Sequence, residues 1–358
     1  MLSRNEIIWG YRFVLGREPE SEEIITHHQH SFSFIQEFRK ALFDSIEFQR
    51  RLSVVDEGPP YAGYTAEDLA VFDQFSCATP KPAAGFVTDF HGSRARISSL
   101  WDGVQHLDGL VMPKPIPGDY HAETAEWLGL LKAVLAAKGQ FVAMELGAGI
   151  GPWLAAGAVA ARLRGISDIR LLGVEADPVR FGLLQQNLQD NDINPEEHVL
   201  ICGAVGVVSG KAKWPRVPDP RNNAGVRPIR QSPDQEEGLE LQDLRYMEGF
   251  ADDLMEVDII AFEELLRDQP LWDLVHIDVQ GTEVELCSAC LALMSQRIRY
   301  LVVGAHSRKL DGDLIALMFA PGWVLEHEKP TRFVFSRSAS LERMTTADGI
   351  QVWRNPDL

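Results

Sequence analysis

The stretch Phe141-Val-Ala-Met-Glu145-Leu-Gly147-Ala148-Gly149-Ile-Gly151-Pro152-Trp153 decides the fold. Phe141–Leu146 is a short apolar run of the kind that forms a strand buried on both faces. Alternating glycines end it, and Pro152 opens a helical pattern that runs to Leu163. Proline suits a first helical position, because its missing N–H would have no partner there. Glycines let the backbone turn tightly and approach a ligand closely. The start of a helix also favours a negatively charged group. A glycine loop alone is weak evidence, with a plain strand-to-helix turn as the lesser alternative. Its spacing, Gly-x-Gly-x-Gly, departs from the Gly-x-Gly-x-x-Gly of nicotinamide dinucleotide binders.

Outward from this point the pattern repeats. Ile169–Val174 reads as a second strand, Pro178–Asp190 as a helix and His198–Ala204 as a third strand. Trp272–Val279 is a further strand, followed by a helix to about Met294 and a fifth strand at Arg299–Gly304. Trp323–His327 and Arg332–Ser336 read as a closing pair. Strands alternating with helices predict a mostly parallel sheet covered on both faces. The second strand ends in Val174-Glu175-Ala176-Asp177-Pro178. A carboxylate at that place is positioned to accept hydrogen bonds from ribose hydroxyls. Glu175 fits this role, and Asp177 before Pro178 fits a helix cap. Residues 205–255 interrupt the rhythm as an insertion rich in Pro, Gly, Asn and Arg. Its Arg216, Arg221, Arg227 and Arg230 either contact an anionic acceptor or belong to a solvated loop.

Upstream, residues 1–55 read as a small helical module, with Ile7, Ile8, Tyr11, Val14 and Leu15 at helical spacing. Residues 56–138 read as a linker and cap, 139–340 as the main α/β domain, and 341–358 as a tail. The balance of 34 Lys and Arg against 52 Asp and Glu gives a net charge of −18. Such a chain is a poor generic binder of phosphate backbones or anionic membranes, so no nucleic-acid partner is expected. No apolar stretch approaches the ~20 residues that span a bilayer, and no signal segment is read at the start. Four cysteines make no disulfide scaffold, which fits a cytoplasmic location.

The glycine loop followed by Val-Glu-Ala-Asp-Pro resembles class I S-adenosylmethionine-dependent methyltransferases. The segment Asp278-Val-Gln280-Gly281-Thr-Glu283 is similar to the signature of the FkbM family, Asp-hydrophobic-(Gln/Glu)-Gly-(Ala/Thr)-Glu. Glu263-Glu264-Leu, Gly304-Ala-His306-Ser307 and Gly322-Trp323 fit the same resemblance, which covers roughly residues 140–335. It implies a Rossmann-like, seven-stranded, mostly parallel sheet behind a small all-α domain. It also implies S-adenosylmethionine as cofactor. Glu145, Gly147, Ala148, Gly149, Gly151 and Trp153 would surround its methionine part. Glu175 and Ala176 would lie at the ribose, Gly203 and Ala204 near the adenine, and Asp278 beside them. Tyr11-Arg-Phe-Val-Leu-Gly-Arg-Glu-Pro19 with Ser45-Ile-Glu-Phe48 resembles a small helical bacterial domain attached to glycan-related enzymes.

The expected reaction is O-methylation of a hydroxyl on a sugar, a glycan precursor or a related small metabolite, by a chain that could be a homo-oligomer. A neutral hydroxyl must lose its proton to a base or with help from a metal. Asp278, Glu283 and His306 lie at the carboxyl ends of neighbouring strands, where α/β sheets bind ligands. His306 is expected as the base by its near-neutral pKa. Asp278 is the expected ligand of a cation, Mg²⁺, should one be used. Tyr120, His121 and Glu123 are either a cover for the site or surface groups. His276, Cys287 and Cys290 read as structural, and His27–His30 as a solvated turn. The rival readings are an NAD-dependent oxidoreductase and a cofactor-binding glycan-assembly protein without turnover.

Overall fold

The computed structural model describes residues 2–15, 17–45, 48, 64–75, 80–217, 219–221, 254–337 and 344–358. The chain divides into two units, Met1–Ala62 and Gly63–Leu358. In the first, Ser3 and Glu6 form a capping box that opens α1 (Arg4–Gly10), which runs on into a π-helical turn at Tyr11–Leu15. Helices α2 (Glu22–Ser31) and α3 (Ile35–Phe43) complete it around Ile7, Tyr11, Leu15, Ile25, Phe38 and Leu42. The expected turn at His27–His30 is instead part of α2. Ser21 caps that helix and Glu22 and Glu23 complement its dipole, so it continues through the histidines.

The second unit begins with α4 (Ala66–Val71) and a hairpin of β1 (Phe86–Thr88) and β2 (Arg94–Arg96). Then follow α5 (Thr124–Ala136), β3 (Gln140–Leu146), α6 (Pro152–Leu163), β4 (Asp168–Glu175), α7 (Pro178–Asp190) and β5 (Val199–Cys202). Strands β6 (Ala204–Gly206), β7 (Gly210–Pro215) and β8 (Leu254–Ala261) form a small separate sheet. The chain continues through α8 (Phe262–Arg267), β9 (Trp272–Ile277), α9 (Glu283–Arg297), β10 (Ile298–Ala305) and α10 (Arg308–Phe319). It closes with β11 (Val324–Lys329), β12 (Arg332–Phe333), β13 (Thr345–Ala347) and β14 (Gly349–Arg354).

The main sheet has seven strands in the order β11-β14-β10-β9-β3-β4-β5. Only β14 runs against its neighbours. Numbered along the chain, the order is 3-2-1-4-5-7-6, the Rossmann-like sheet expected, with an antiparallel strand wedged beside the fifth. Alternation on β3 sets the two faces. Phe141 and Ala143 pack with Trp127, Leu130 and Leu154 of α5 and α6. Val142, Met144 and Leu146 pack with Phe262, Leu286 and Met294 of α8 and α9. Strands covered on both faces lose their polar alternation, which is why they read as apolar runs.

Three boundaries differ from the sequence reading. Residues 341–358 are no tail, because β14 buries Ile350, Val352 and Trp353 inside the main sheet. The closing pair at 323–336 does not form: β11 pairs with β14, and β12 with β13. The cap segment is joined to the main unit, with Trp127, Leu128, Leu130 and Leu131 fully buried in its core. Of the 205–255 insertion, 207–215 supplies β7 and its turn, while 222–253, with Arg227 and Arg230, lies outside the described residues.

Candidate active site

The carboxyl ends of β3, β4, β9 and β10 meet where the strand order reverses, the place where open α/β sheets bind ligands. Leaving β3, the chain passes through Gly147, Gly149 and Gly151, all with positive φ. Gly147 has the strictest requirement: a Cβ there would lie 1.8 Å from the carbonyl oxygen of Asp278. At Gly149 a Cβ would meet no atom within 4 Å. Four of the loop's N–H donors are spent inside the protein. Gly147 and Ala148 donate to Val174 O (3.0 and 2.9 Å), Gly149 to Glu175 Oε2 (2.7 Å) and Gly151 to Ala148 O (2.6 Å). Beneath the loop, Glu145 Oε2 accepts from Leu154 N (3.0 Å) and so caps α6 with a carboxyl group. The expectation of an anion at this helix start is therefore corrected, since a carboxyl group of the protein already occupies it. Burial pushes the Glu145 carboxyl up to about 8.

Glu175 ends β4 with both oxygens engaged, Oε1 by Asp177 N (2.7 Å) and Oε2 by Gly149 N. Burial pushes it up to about 7 against these donors. Each carboxylate oxygen keeps a second lone pair. Asp177 caps α7, accepting from Val179 N and Arg180 N at 2.8 and 3.1 Å, as its place before Pro178 predicts. Gly203 donates to Glu175 O (3.0 Å), which brings Gly203 and Ala204 beside that carboxylate. A cleft of about 710 Å³ is lined by Gly147, Glu175, Ala176, Gly203, Ala204 and Asp278, with Trp214 and Val217 as its apolar wall.

The other side of the site is a row of side chains. Asp278 N donates to Leu146 O (2.9 Å), so the residue follows β9 directly into the cleft. Its carboxylate is 42% exposed, and Oδ1 meets His306 Nε2 at 3.0 Å and Gln280 Nε2 at 3.2 Å. His306 Nδ1 meets Glu283 Oε1 at 2.8 Å, and Glu283 is fully buried at the start of α9. Burial alone would lower the His306 pKa, but its two carboxylates raise it well above the imidazole's ordinary value. A carboxylate oxygen facing each ring nitrogen favours the imidazolium form, in which both nitrogens donate. In that form the ring has no lone pair with which to act as a base. The donor atoms of Asp278, Glu283 and His306 also lie within 4.8 Å of one another, and Glu283 Oε2 is buried with no hydrogen-bond partner among the described residues.

A second cleft of about 1030 Å³ shares Gly147 and Asp278 with the first and extends over Tyr120, His121, Glu145 and Trp153. The Trp153 ring centroid lies 5.6 Å from that of His121 and 5.4 Å from that of His276. The expected site residues thus assemble on one sheet edge, and His276 lines it as well. Glu123 instead opens α5 through a capping box and pairs with Lys329. Cys287 and Cys290 are buried core groups, as expected. Sequence reasoning missed Trp214 and Arg180, whose guanidinium holds Pro220 O (2.8 Å from Nε) at the cleft edge. The alternating Ala212 and Trp214 carried a strand signal inside what read as a loop.

No family model matches the chain. A protein of Jannaschia sp. (strain CCS1), provisionally named a methyltransferase, is 30% identical over 281 residues, covering 78% of this chain and 95% of that protein. Among solved structures, methyltransferase FkbM from Methylobacillus flagellatus KT overlaps at TM-score 0.35 and 14% identity, over 60% of this chain. This chain spans 44% of that protein, less than half its length. A precorrin-6y C5,15-methyltransferase from Geobacter metallireducens GS-15 overlaps at TM-score 0.34 and 12% identity, over 65% and 88% of the two chains. No helix among the described residues is long and apolar enough to cross a membrane. On the Jannaschia relative, which it matches over most of both chains, this chain belongs to the methyltransferases.

Proposed function

We propose that the chain is an S-adenosylmethionine-dependent O-methyltransferase of FkbM type, acting on a hydroxyl of a sugar or related small metabolite. One observation carries this reading: two clefts meet at Gly147 and Asp278, one ending at a buried ribose-type carboxylate and the other walled by aromatic rings. The residues fit the cofactor. Gly147 has no room for a side chain, Glu175 offers spare acceptor lone pairs, and Ala204, Trp214 and Val217 form an apolar slot beyond it. Bound there, S-adenosylmethionine supplies an electrophilic methyl group on a sulfonium centre. Glu175 accepts from the ribose hydroxyls, Gly147–Gly151 surround the methionine part, and Gly203 and Ala204 flank the base. A pyrophosphate would need the loop's N–H groups, and those of Gly147, Ala148, Gly149 and Gly151 already donate within the protein, which disfavours the NAD-dependent reading.

The acceptor lies over Asp278. Among the described residues both hydrogen bonds to this carboxylate fall on Oδ1, so Oδ2 accepts the hydrogen bond of the acceptor hydroxyl. Asp278 is held below its ordinary pKa: burial raises it, but the hydrogen bond and charge of His306 outweigh that. It is a weak base, and a weak base suffices, because an oxygen gaining a methyl group turns its proton strongly acidic. The proton passes to Asp278 Oδ2, while His306 and Glu283 hold that carboxylate in place. Trp101, Tyr120 and Trp153 give the second cleft flat apolar faces of the kind that pack on sugar rings. The test is incubation with methyl-labelled S-adenosylmethionine and a panel of nucleotide sugars and glycosides. Label in a base-stable ether of a sugar supports the reading. Label in RNA or in a base-labile ester, with none on sugars, contradicts it.

A further inference from the structure

We infer that Asp89, Asp119 and His121 form a binding site for one divalent transition-metal ion, in the wall of the second cleft. Their donor atoms all lie within 4.8 Å of one another, and no residue of the glycine loop or of the Asp278 row takes part. Asp89 sits in the turn between β1 and β2, closed by Asp89 N→Ser93 O at 2.7 Å. Only 6% of the residue is exposed. Ser93 Oγ donates to its Oδ2 (2.7 Å), whereas its Oδ1 is buried with no hydrogen-bond partner among the described residues. A buried carboxylate oxygen without a donor is costly unless something cationic satisfies it. Both Asp89 and His121 line the cleft, so the orphan oxygen belongs to a group that a ligand can reach.

The other two donors are held in place by their surroundings. Asp119 Oδ1 accepts from His121 N and Ala122 N, both at 2.9 Å, and Oδ2 accepts from Trp127 Nε1 at 2.7 Å. The His121 ring packs against Trp127 and Trp153, with centroids 5.7 and 5.6 Å away. Such outer partners fix ligand orientation in metal sites. His121 Nε2 stands 3.8 Å from Asp119 Oδ2. That is too long for a hydrogen bond, and it is within the span of two ligands each about 2.1 Å from one ion. One imidazole and two carboxylates suit manganese, iron, cobalt or zinc better than magnesium or calcium, which prefer all-oxygen sets. Three protein donors also leave open positions on an ion, and two of the three, Asp89 and His121, line the cleft that contains Asp278.

The site stands whether or not the chain methylates sugars, and its test reads binding alone. The full-length protein is stripped with EDTA, desalted and titrated with Mn²⁺ by calorimetry and electron paramagnetic resonance. One Mn²⁺ per chain is expected. Asp89→Asn and His121→Gln should each weaken it more than tenfold, and Asp278→Asn should leave it within twofold. Circular dichroism melting confirms that each variant is folded. In the wild type, Mn²⁺ should broaden the ring signals of His121 ahead of those of His306 in histidine-labelled protein, which keeps the test independent of the variants. Absence of Mn²⁺ binding overturns the inference. So does binding that survives Asp89→Asn and disappears with Asp278→Asn.

Discussion

The two sides of the cleft are built by opposite means. The β3–β4 side is backbone work: Gly147, Gly149 and Gly151 turn the chain, and Glu175 is fixed by two main-chain N–H groups. The β9–β10 side is side-chain work: Asp278, His306 and Glu283 join end to end in one charged row. A backbone-built half can be damaged by adding a single carbon, whereas a charged row fails when one member loses its charge. The comparison also separates tasks. In the proposed function, shape and hydroxyl recognition belong to the first side, and control of the acceptor's proton to the second.

The largest effect should come from adding that carbon. Gly147→Ala forces a Cβ onto Asp278 O at positive φ, and the cost should be about 3 kcal/mol of stability together with loss of cofactor binding. Gly149→Ala meets open space at positive φ and should cost only about 1 kcal/mol. Urea unfolding of the two variants side by side checks the contrast, and equal costs would break it. On the charged side, Asp278→Asn should lower kcat by roughly 10²-fold with little change in S-adenosylhomocysteine affinity. His306→Ala should cost roughly tenfold, partly rescued in His306→Gln, which restores one N–H. A loss with His306→Ala that exceeds the loss with Asp278→Asn would return the proton-handling part to the histidine.

A smaller effect lies in pH dependence. Glu145 is neutral when folded up to about 8, against an ordinary value of 4.5. A raised folded pKa means that stability is fully present below the ordinary value and is lost as pH rises toward the folded one. His306, also raised, acts in the same direction above the ordinary imidazole range. Tm should therefore fall between about pH 5 and pH 8, and Glu145→Gln, neutral throughout, should flatten the decline. A Tm that rises over this interval in the wild type would contradict the burial of Glu145 as an uncharged group.

The legible parts of the molecule were those with short-range causes. A strand, three glycines and Pro152 in succession leave few alternatives, and Asp177 before Pro178 caps its helix as read. That Glu175, Asp278, Glu283 and His306 lie near one another was legible because parallel strands deliver their carboxyl ends to one edge. What the row does was not legible: that His306 lies between two carboxylates depends on the turn through Gln280 and Gly281, both at positive φ. Strand β14 was missed because its place between β10 and β11 is a long-range pairing, and its Ile350, Val352 and Trp353 are too short a run to announce it. Asp89 carried no local signal, since its proximity to His121 is created by tertiary packing alone.

The central claim is that the glycine loop and Glu175 hold S-adenosylmethionine. Calorimetric titration with S-adenosylhomocysteine tests it most directly, run on the wild type and Glu175→Ala with NAD in parallel. The account predicts one-site binding in the wild type and no heat with NAD. It predicts ten- to a hundredfold weaker binding in a folded Glu175→Ala, from the loss of charge-assisted hydrogen bonds of about 1.5–3 kcal/mol. Tight NAD binding without a response to S-adenosylhomocysteine, or an unchanged affinity in the folded variant, would contradict it.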